Sequence, residues 1–188
     1  ADDGADAQCV AADLLSQAEH DELATAVLIT DSAELADKVS VALEERLNSL
    51  ARKSIAEVSI RNNCKLIVVG SLDEAAELSD ELAPEHLELA VRNPLELLEK
   101  VNNAGSVFLG YNTPEPVGDY YAGPNHTLPT GGTAKFSSPL GVEDFIKTVQ
   151  YAYYTKDKLT QSADDIIQFA RSEGLTGHVE SVSVRMEK

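Results

Sequence analysis

The chain has 188 residues, of which 43% are apolar and 25% charged, a composition suited to one globular domain or to one domain with an appendage. Its formal net charge of −17, from 32 acidic and 15 basic residues, would repel phosphate backbones and anionic lipid surfaces. Nucleic acids and membranes are therefore not expected as partners.

The two cysteines, Cys9 and Cys64, have no CxxC spacing, and the chain shows no secretory signal pattern. They are interpreted as reduced thiols of a cytoplasmic protein, with no disulfide between them. The chain begins with Ala1 rather than with Met, and we expect it to be a piece of a longer protein.

Runs of β-branched and other apolar residues alternate with helical patterns through the first part of the chain. The runs predict four buried strands, at residues 25–30, 65–69, 87–91 and 106–109. Parallel strands need crossover connections, and helical patterns lie between these runs. The sequence therefore predicts an α/β fold with a mostly parallel sheet and crossover helices.

Local capping patterns predict where the helices begin. Asp31 with Glu34 resembles a capping box, and Asn93 followed by Pro94 predicts a second helix that runs on to Gly105. Pro84 before Glu85 is, on spacing alone, also typical of a helix start.

No periodicity is present from residue 111 to residue 135, and unstructured connections of this length inside a domain are usually functional. Asp119 and His126 lie there among glycines and prolines. Gly123 permits backbone angles that other residues resist, and Pro124 fixes its own φ. The combination predicts a rigid site with a carboxylate and an imidazole.

The pattern becomes helical after Gly141, whereas residues 176–185 alternate in a way that is typical of a strand. We place a domain boundary near Lys135. Residues 1–135 then form an α/β domain that carries this loop, and residues 136–188 form a helical and extended tail.

Gln17 and His20 are three residues apart on a predicted helix from Val10 to His20, so their side chains share one face and could chelate a metal. The alternative is a polar helix end, where the helix dipole favours a histidine. Taken alone, Asp119 could equally cap a turn, and His178 could be a surface residue.

Four segments together resemble the histidinol dehydrogenase family. They are Gln17-Ala18-Glu19-His20, Ala83-Pro84-Glu85-His86-Leu87, the loop 118–130, and Glu173-Gly174-Leu175-Thr176-Gly177-His178. The resemblance runs from about Val10 to the C-terminus and covers the C-terminal portion of that family's chain. It implies an NAD-dependent zinc enzyme of histidine biosynthesis that oxidises L-histidinol to L-histidine through histidinal, with two NAD.

The resemblance also implies roles for particular residues. One zinc per subunit (Zn2+) would be held by Gln17, His20, Asp119 and His178, the last supplied by the other subunit of an intertwined homodimer. The acid/base pair would be Glu85 and His86. The residues that contact histidinol would be Gln17, His20, His86, Asp119, His126, Glu173 and His178.

No GxGxxG motif or other glycine-rich helix start that would seat a pyrophosphate is present, and the residues that bind NAD are unknown. In the family, the preceding sequence supplies most of the cofactor-binding domain and the rest of the first α/β domain. The resemblance thus implies that residues 1–135 are a partial, incomplete Rossmann-like domain that carries the metal and acid/base residues, and that residues 136–188 are a helical and extended dimerisation tail. The missing N-terminal half is therefore an expected partner, and this chain by itself is predicted to be inactive.

Two other functions stay open. One is a non-catalytic module for zinc binding or dimerisation. The other is a thiol-dependent enzyme like an aldehyde dehydrogenase, which would need an activated Cys9 or Cys64. Cys9 lies in an acidic stretch and Cys64 directly before a predicted buried strand, and neither setting favours a thiolate.

Overall fold

A computed structural model describes residues 1–187. It divides the chain into two compact units, Ala1–Phe145 and Ile146–Lys188. In the first unit the strands are β1 (Val27–Thr30), β2 (Lys65–Val68), β3 (His86–Leu89) and β4 (Ser106–Leu109), and the helices are α1 (Ala7–Ala18), α2 (Ala33–Leu47), α3 (Lys53–Asn63), α4 (Leu72–Leu82), α5 (Pro94–Leu98) and α6 (Glu115–Val117). The second unit contains α7 (Lys156–Ser172) and α8 (Thr176–Met186).

The strands form two parallel pairs. Strand β1 pairs with β2, with Val27 opposite Lys65, and strand β3 pairs with β4, with His86 opposite Ser106. Helices α2 and α3 make the first crossover and α5 makes the second. The predicted α/β class with parallel strands is confirmed, although the strands are short and the described residues form two pairs rather than one continuous sheet.

Two apolar cores lie against these strand pairs. One joins α1 and α2 to β1 and contains Leu14, Leu28 and Val39. The other joins α4, β3 and α5 and contains Ala76, Leu89 and Leu97. Helix α1, which carries Gln17, is therefore held by the first core, and β3, which carries His86, by the second.

Two predicted helix boundaries need correction. The residue that caps α2 is Ser32 rather than Asp31, and its hydroxyl accepts a hydrogen bond from the Leu35 N–H at 3.2 Å. Helix α5 does begin at Pro94 after Asn93, as predicted, but it ends at Leu98 instead of running to Gly105.

Pro84 and Glu85 do not begin a helix. They follow the end of α4 and lead directly into β3. Ala83 closes α4 with φ of 50°, the left-handed region that favours glycine, and it is fully buried. This turn reverses the chain and places Glu85 and His86 at the start of a strand, an outcome that helix-start spacing alone could not indicate.

The second unit is helical to its end. Residues 176–185 are part of α8 and not a strand. Val179, Val182 and Met186 are its partly buried apolar residues, while Val184 is exposed, so the apolar spacing is three and four rather than two. Among residues 1–187, no helix combines the length and the apolar character that crossing a bilayer requires.

Candidate functional site

The site is built on the start of β3 and on the loop that follows β4. His86 is the first residue of β3, and the loop contributes α6 and then a π-helical turn, Gly118–Ala122. Single π turns are frequent at functional sites. This one carries Asp119, and His126 follows four residues after the turn ends.

Four side chains converge here. His86, Glu115, Asp119 and His126 each offer a nitrogen or oxygen atom within 4.8 Å of the others. Asp119 Oδ1 lies 2.5 Å from His126 Nδ1, and Glu115 Oε1 lies 3.8 Å from His86 Nε2. The two imidazole rings are stacked, with centroids 5.3 Å apart.

His86 has an unusual environment. Its Nε2 atom is buried and has no hydrogen-bond partner within the described residues. Burial lowers the pKa of His86, and His126 lowers it further, against the opposing effects of Glu85 and Asp119. A neutral imidazole with a free, buried nitrogen is expected either to accept a proton from a substrate or to bind an ion.

Two partly buried carboxyl groups of this region, those of Glu88 and Glu115, have raised pKa values. Burial, together with a hydrogen bond to Asp119, raises the pKa of Glu115 to about 7. Burial and the charge of Asp13 raise the pKa of Glu88 to about 7. A raised pKa means that the ionised form of each carboxyl is disfavoured, so protonation or a nearby positive charge would stabilise these groups.

Glu88 also connects the elements that carry the site. Its Oε1 accepts a hydrogen bond from the Glu115 N–H at 2.8 Å, and the charge of Asp13 on α1 contributes to its raised pKa. Asp13 lies one turn before Gln17 on the same helix face. Glu88 on strand β3 therefore interacts with helix α1 and with the segment that precedes Asp119.

A cavity of about 640 Å³ extends from this cluster between α1, β1 and β3. Its lining includes Gln17, Glu85, His86, Glu88 and Glu115. The structure thus brings together the predicted acid/base pair and one predicted metal ligand around a single concave space, as small-molecule sites commonly do.

The other predicted site residues lie in different places. His20 is exposed, two residues beyond the end of α1, although its N–H still donates to the Gln17 carbonyl at 3.3 Å. It is close enough for its charge to lower the pKa of His86. Glu173 caps the end of α7 and His178 lies in the first turn of α8, both exposed in the second unit.

The sequence did not single out Glu115, Glu88 or Asp13. A signal was present for each: Glu115 stands between two prolines one turn before Asp119, Glu88 is two residues after His86, and Asp13 is four before Gln17. Such acidic residues are usually solvated, and only the packing shows that these are partly buried.

The fold consists of parallel strands linked by helices. Histidines and carboxyl groups gather at the start of one strand, so this is an α/β protein with a candidate acid/base and metal-binding site. A family model described as histidinol dehydrogenase matches residues 1–186. The chain belongs to the histidinol dehydrogenase family.

Individual relatives agree with this result. The chain is 52% identical over 185 residues to a histidinol dehydrogenase of Caldanaerobacter subterraneus subsp. tengcongensis, covering 98% of this chain and 43% of that protein. It is 51% identical over 188 residues to one of Lactococcus lactis, covering 100% of this chain and 44% of that protein. The chain therefore spans less than half the length of these curated relatives.

The fold agrees as well. The chain superimposes on the crystal structure of histidinol dehydrogenase from Elizabethkingia anophelis with a TM-score of 0.87 and 38% sequence identity. The match covers 100% of this chain and 43% of that one.

Proposed function

We propose that this chain is the part of a histidinol dehydrogenase that carries the acid/base pair and the metal ligands. The whole enzyme would oxidise L-histidinol through histidinal to L-histidine, with two NAD, in the cytoplasm. The observation that carries the proposal is the buried, unpartnered Nε2 of His86, which faces a cluster of carboxyl groups beside a cavity that Glu85 also lines.

His86 would accept the proton that the alcohol releases in the first oxidation. An alcohol loses its hydroxyl proton as hydride leaves carbon, and the acceptor must be unprotonated near neutral pH. Burial lowers the pKa of His86, which keeps the imidazole neutral there. Its Nε2 has no competing hydrogen bond within the described residues.

Glu85 would act in the second oxidation. An aldehyde must add water before it can lose hydride, and a carboxylate can take a proton from that water as it attacks the carbonyl carbon. Glu85 is adjacent to His86, is partly buried and lines the same cavity. A closed cavity would also retain the reactive aldehyde between the two steps.

The donor set fits a divalent metal. Imidazole nitrogens and carboxyl oxygens are suitable zinc ligands, and Asp119, one of the four residues that converge here, is also one of the proposed ligands. We propose that Gln17, His20 and Asp119 hold zinc together with His178 of the partner subunit. Bound there, zinc would grip the imidazole and amine of histidinol and orient its alcohol carbon towards nicotinamide.

In this assignment, His126 and Glu173 contact the substrate. His126 is half exposed at the rim of the cluster and pairs with Asp119, so it can reach a ligand held there. Glu173 would reach the site of a partner subunit from the end of α7.

Large exposed apolar side chains in the second unit, among them Val149, Tyr151, Tyr153 and Phe169, support a role for that unit in dimerisation.

NAD would be bound mainly by sequence outside these 188 residues, in the missing N-terminal half of the protein. No phosphate-cradling glycine motif occurs in the chain, so none of its residues is assigned to the cofactor.

A second candidate is a zinc-binding or dimerisation module without catalysis. The four-residue cluster would support it for the isolated chain. A thiol mechanism has less support, because burial raises the pKa of Cys64 and neither cysteine is among the residues in 1–187 that line the cavity.

The test is single-turnover NADH formation by the whole enzyme, started separately from histidinol and from histidinal. Loss of a general base costs about 10²–10⁴-fold on the step it serves. Glu85→Gln should slow aldehyde oxidation much more than alcohol oxidation, and His86→Asn should slow both. If Glu85→Gln damages the alcohol step as severely as the aldehyde step, Glu85 is not a water-activating base and the assignment is withdrawn.

A further inference from the structure

Phe108 is a large buried side chain that belongs to neither of the two apolar cores described above. Only 6% of its surface is exposed, yet among residues 1–187 it is a member neither of the core at α1, α2 and β1 nor of the core at α4, β3 and α5. Its neighbours in β4, Val107 and Leu109, do pack against the second core. The phenyl ring projects from the opposite face of the strand, where the site lies.

The pairing of β3 with β4 places Phe108 on the same face as His86. Phe108 lies opposite Glu88 in the parallel register, and His86 is two residues before Glu88. Residues opposite each other in a strand pair, and residues two apart along one strand, project from the same face. The phenyl ring is tilted by 55° against the imidazole of His86, with the ring centroids 6.1 Å apart, a separation at which aromatic rings attract each other.

Gly118 lies against the same phenyl ring. A Cβ atom on this residue would be 2.6 Å from Phe108 Cε1 and 3.0 Å from Phe108 Cζ, closer than two carbon atoms can pack. The backbone itself does not require glycine, because φ of −65° and ψ of −48° are helical values that any L-residue adopts. The missing side chain at Gly118 is therefore explained by the close approach of the phenyl ring.

These contacts form a closed circle around the site. Phe108 packs against His86, whose ring stacks on that of His126 with centroids 5.3 Å apart. His126 pairs with Asp119, and Asp119 directly follows Gly118, which contacts Phe108 again. His86 and Asp119 are thus linked through His126 on one side and through the phenyl ring on the other.

We propose that Phe108 is a positioning residue of the enzyme, which holds the imidazole of His86 and the turn that carries Asp119 at a fixed separation. The inference rests on the proposed function, because it concerns residues assigned there to proton transfer and to zinc. A phenyl ring has no group that could exchange a proton or bind a metal. Phe108 therefore acts on the reaction only through the residues that it contacts.

Single-turnover NADH formation by the whole zinc-loaded enzyme tests the contact with His86. Phe108→Leu keeps an apolar side chain but removes the flat ring. At saturating zinc and substrate it should slow alcohol and aldehyde oxidation by similar factors, at least about tenfold each, because His86 serves both steps and a misplacement of about 1 Å can cost about 100-fold. Phe108→Met gives the same comparison if the leucine variant does not fold.

A truncation elsewhere separates positioning from lost stability. Leu43→Ala removes buried apolar atoms from the first core and is the matched control. It should lower the thermal midpoint of the enzyme. Both single-turnover rates of the folded enzyme should stay at the parent values.

Zinc affinity tests the contact with Gly118. Gly118→Ala adds a methyl group where the phenyl ring lies, so it should displace Asp119 and weaken zinc binding by at least about tenfold. Leucine lacks the ring atoms that this methyl group would meet. In the Phe108→Leu background, Gly118→Ala should therefore weaken zinc binding by less than about threefold.

Gly70→Ala is the matched control for the added methyl group. Its Cβ would meet only the end of the flexible Glu74 side chain, at 3.3 Å. The Gly70→Ala enzyme should bind zinc like the parent in both backgrounds.

Two outcomes would overturn the proposal. One is a folded Phe108→Leu enzyme that oxidises both substrates at the parent rates. The other is a Gly118→Ala change that weakens zinc binding equally with and without the phenyl ring, because the glycine would then be needed for another reason.

A failure of the proposed function gives a different result. If the parent enzyme binds no zinc, or if His86→Asn leaves both oxidations unchanged, the proposed function fails and the positioning role fails with it. If the parent binds zinc and His86→Asn slows both oxidations, a deviation confined to the Phe108 and Gly118 variants overturns the positioning role alone.

Discussion

His86 combines two properties that a proton acceptor in an oxidation needs. Burial lowers its pKa, which favours the neutral imidazole, and it keeps one nitrogen without a partner in the described residues. Glu115 lies 3.8 Å from that nitrogen, at a distance that a small shift could close. These properties support the proposal that His86 exchanges a proton with a group that enters the cavity.

Glu88 leads to a prediction about pH. Its pKa is raised to about 7 by burial and by the charge of Asp13, so the folded chain holds a proton there that the unfolded chain releases near pH 4.5. This contribution to stability is complete below about pH 4.5 and is lost as the pH rises through about 7. Glu88→Gln imitates the protonated form, and it should flatten the fall in stability between pH 5 and pH 8.

The measurement is the urea midpoint of the parent and of Glu88→Gln at both pH values. Glu22→Gln, at an exposed position, is the matched control and should leave the pH dependence unchanged. Equal destabilisation by Glu88→Gln at pH 5 and pH 8 would mean that the folded state needs the ionised form.

At the scale of elements, the junction between α4 and β3 positions the acid/base pair. Ala83 is the only residue other than glycine with a positive φ among residues 1–187, and none of its surface is exposed. Left-handed backbone costs an L-residue about 1–2 kcal/mol, and more when the side chain is β-branched. The residue that follows is Pro84, so the turn has little freedom to adjust.

We therefore expect Ala83→Val to lower the free energy of unfolding by about 2 kcal/mol or more, and Ala83→Gly to change it by less than about 1 kcal/mol. Ala76→Val, at a buried position inside the same helix, measures the effect of added volume alone. Denaturant unfolding of the three variants gives the comparison. If Ala83→Val were no worse than Ala76→Val, backbone strain would not be important at this turn.

At the scale of the whole molecule, the proposed zinc site is incomplete in a single chain, because His178 is expected to come from a partner subunit. We predict that one zinc binds per chain only when the chain dimerises. His178→Ala should weaken zinc binding by at least about tenfold, since changes even to residues outside the ligand sphere typically cost 10–100-fold.

Zinc titration combined with sedimentation tests this prediction. Glu180→Ala, an exposed change on the same helix, is the control and should bind zinc like the parent. Tight stoichiometric binding by a strict monomer, unaffected by His178→Ala, would contradict the shared site.

A related prediction concerns activity. The 188 residues alone should not produce NADH from histidinol, because no phosphate-cradling motif is present. Adding the preceding half of the protein should restore turnover if the two parts assemble. Steady NADH formation by the purified chain alone would show that the cofactor site lies within it.

The sequence by itself determined the elements whose signals are local. The run 106–109 is β4 with the predicted bounds, and the other three predicted strands lie within about two residues of their observed positions. Asn93 and Pro94 correctly marked the start of α5. The resemblance of four segments to histidinol dehydrogenases also identified the family, because such a resemblance depends on residue identity at fixed spacing and not on packing.

Only the tertiary structure decided which conformation the ambiguous segments adopt and which polar residues become buried. The valines of residues 176–185 suggested a strand. In the structure the segment is helical, and its partly buried residues Val179, Val182 and Met186 are three and four apart, as on one face of a helix. Pro84 and Glu85 fitted a helix start, but the buried left-handed turn at Ala83 directs them into β3. The raised pKa values of Asp13, Glu88 and Glu115 arise mainly from burial, which depends on contacts between residues far apart in the chain.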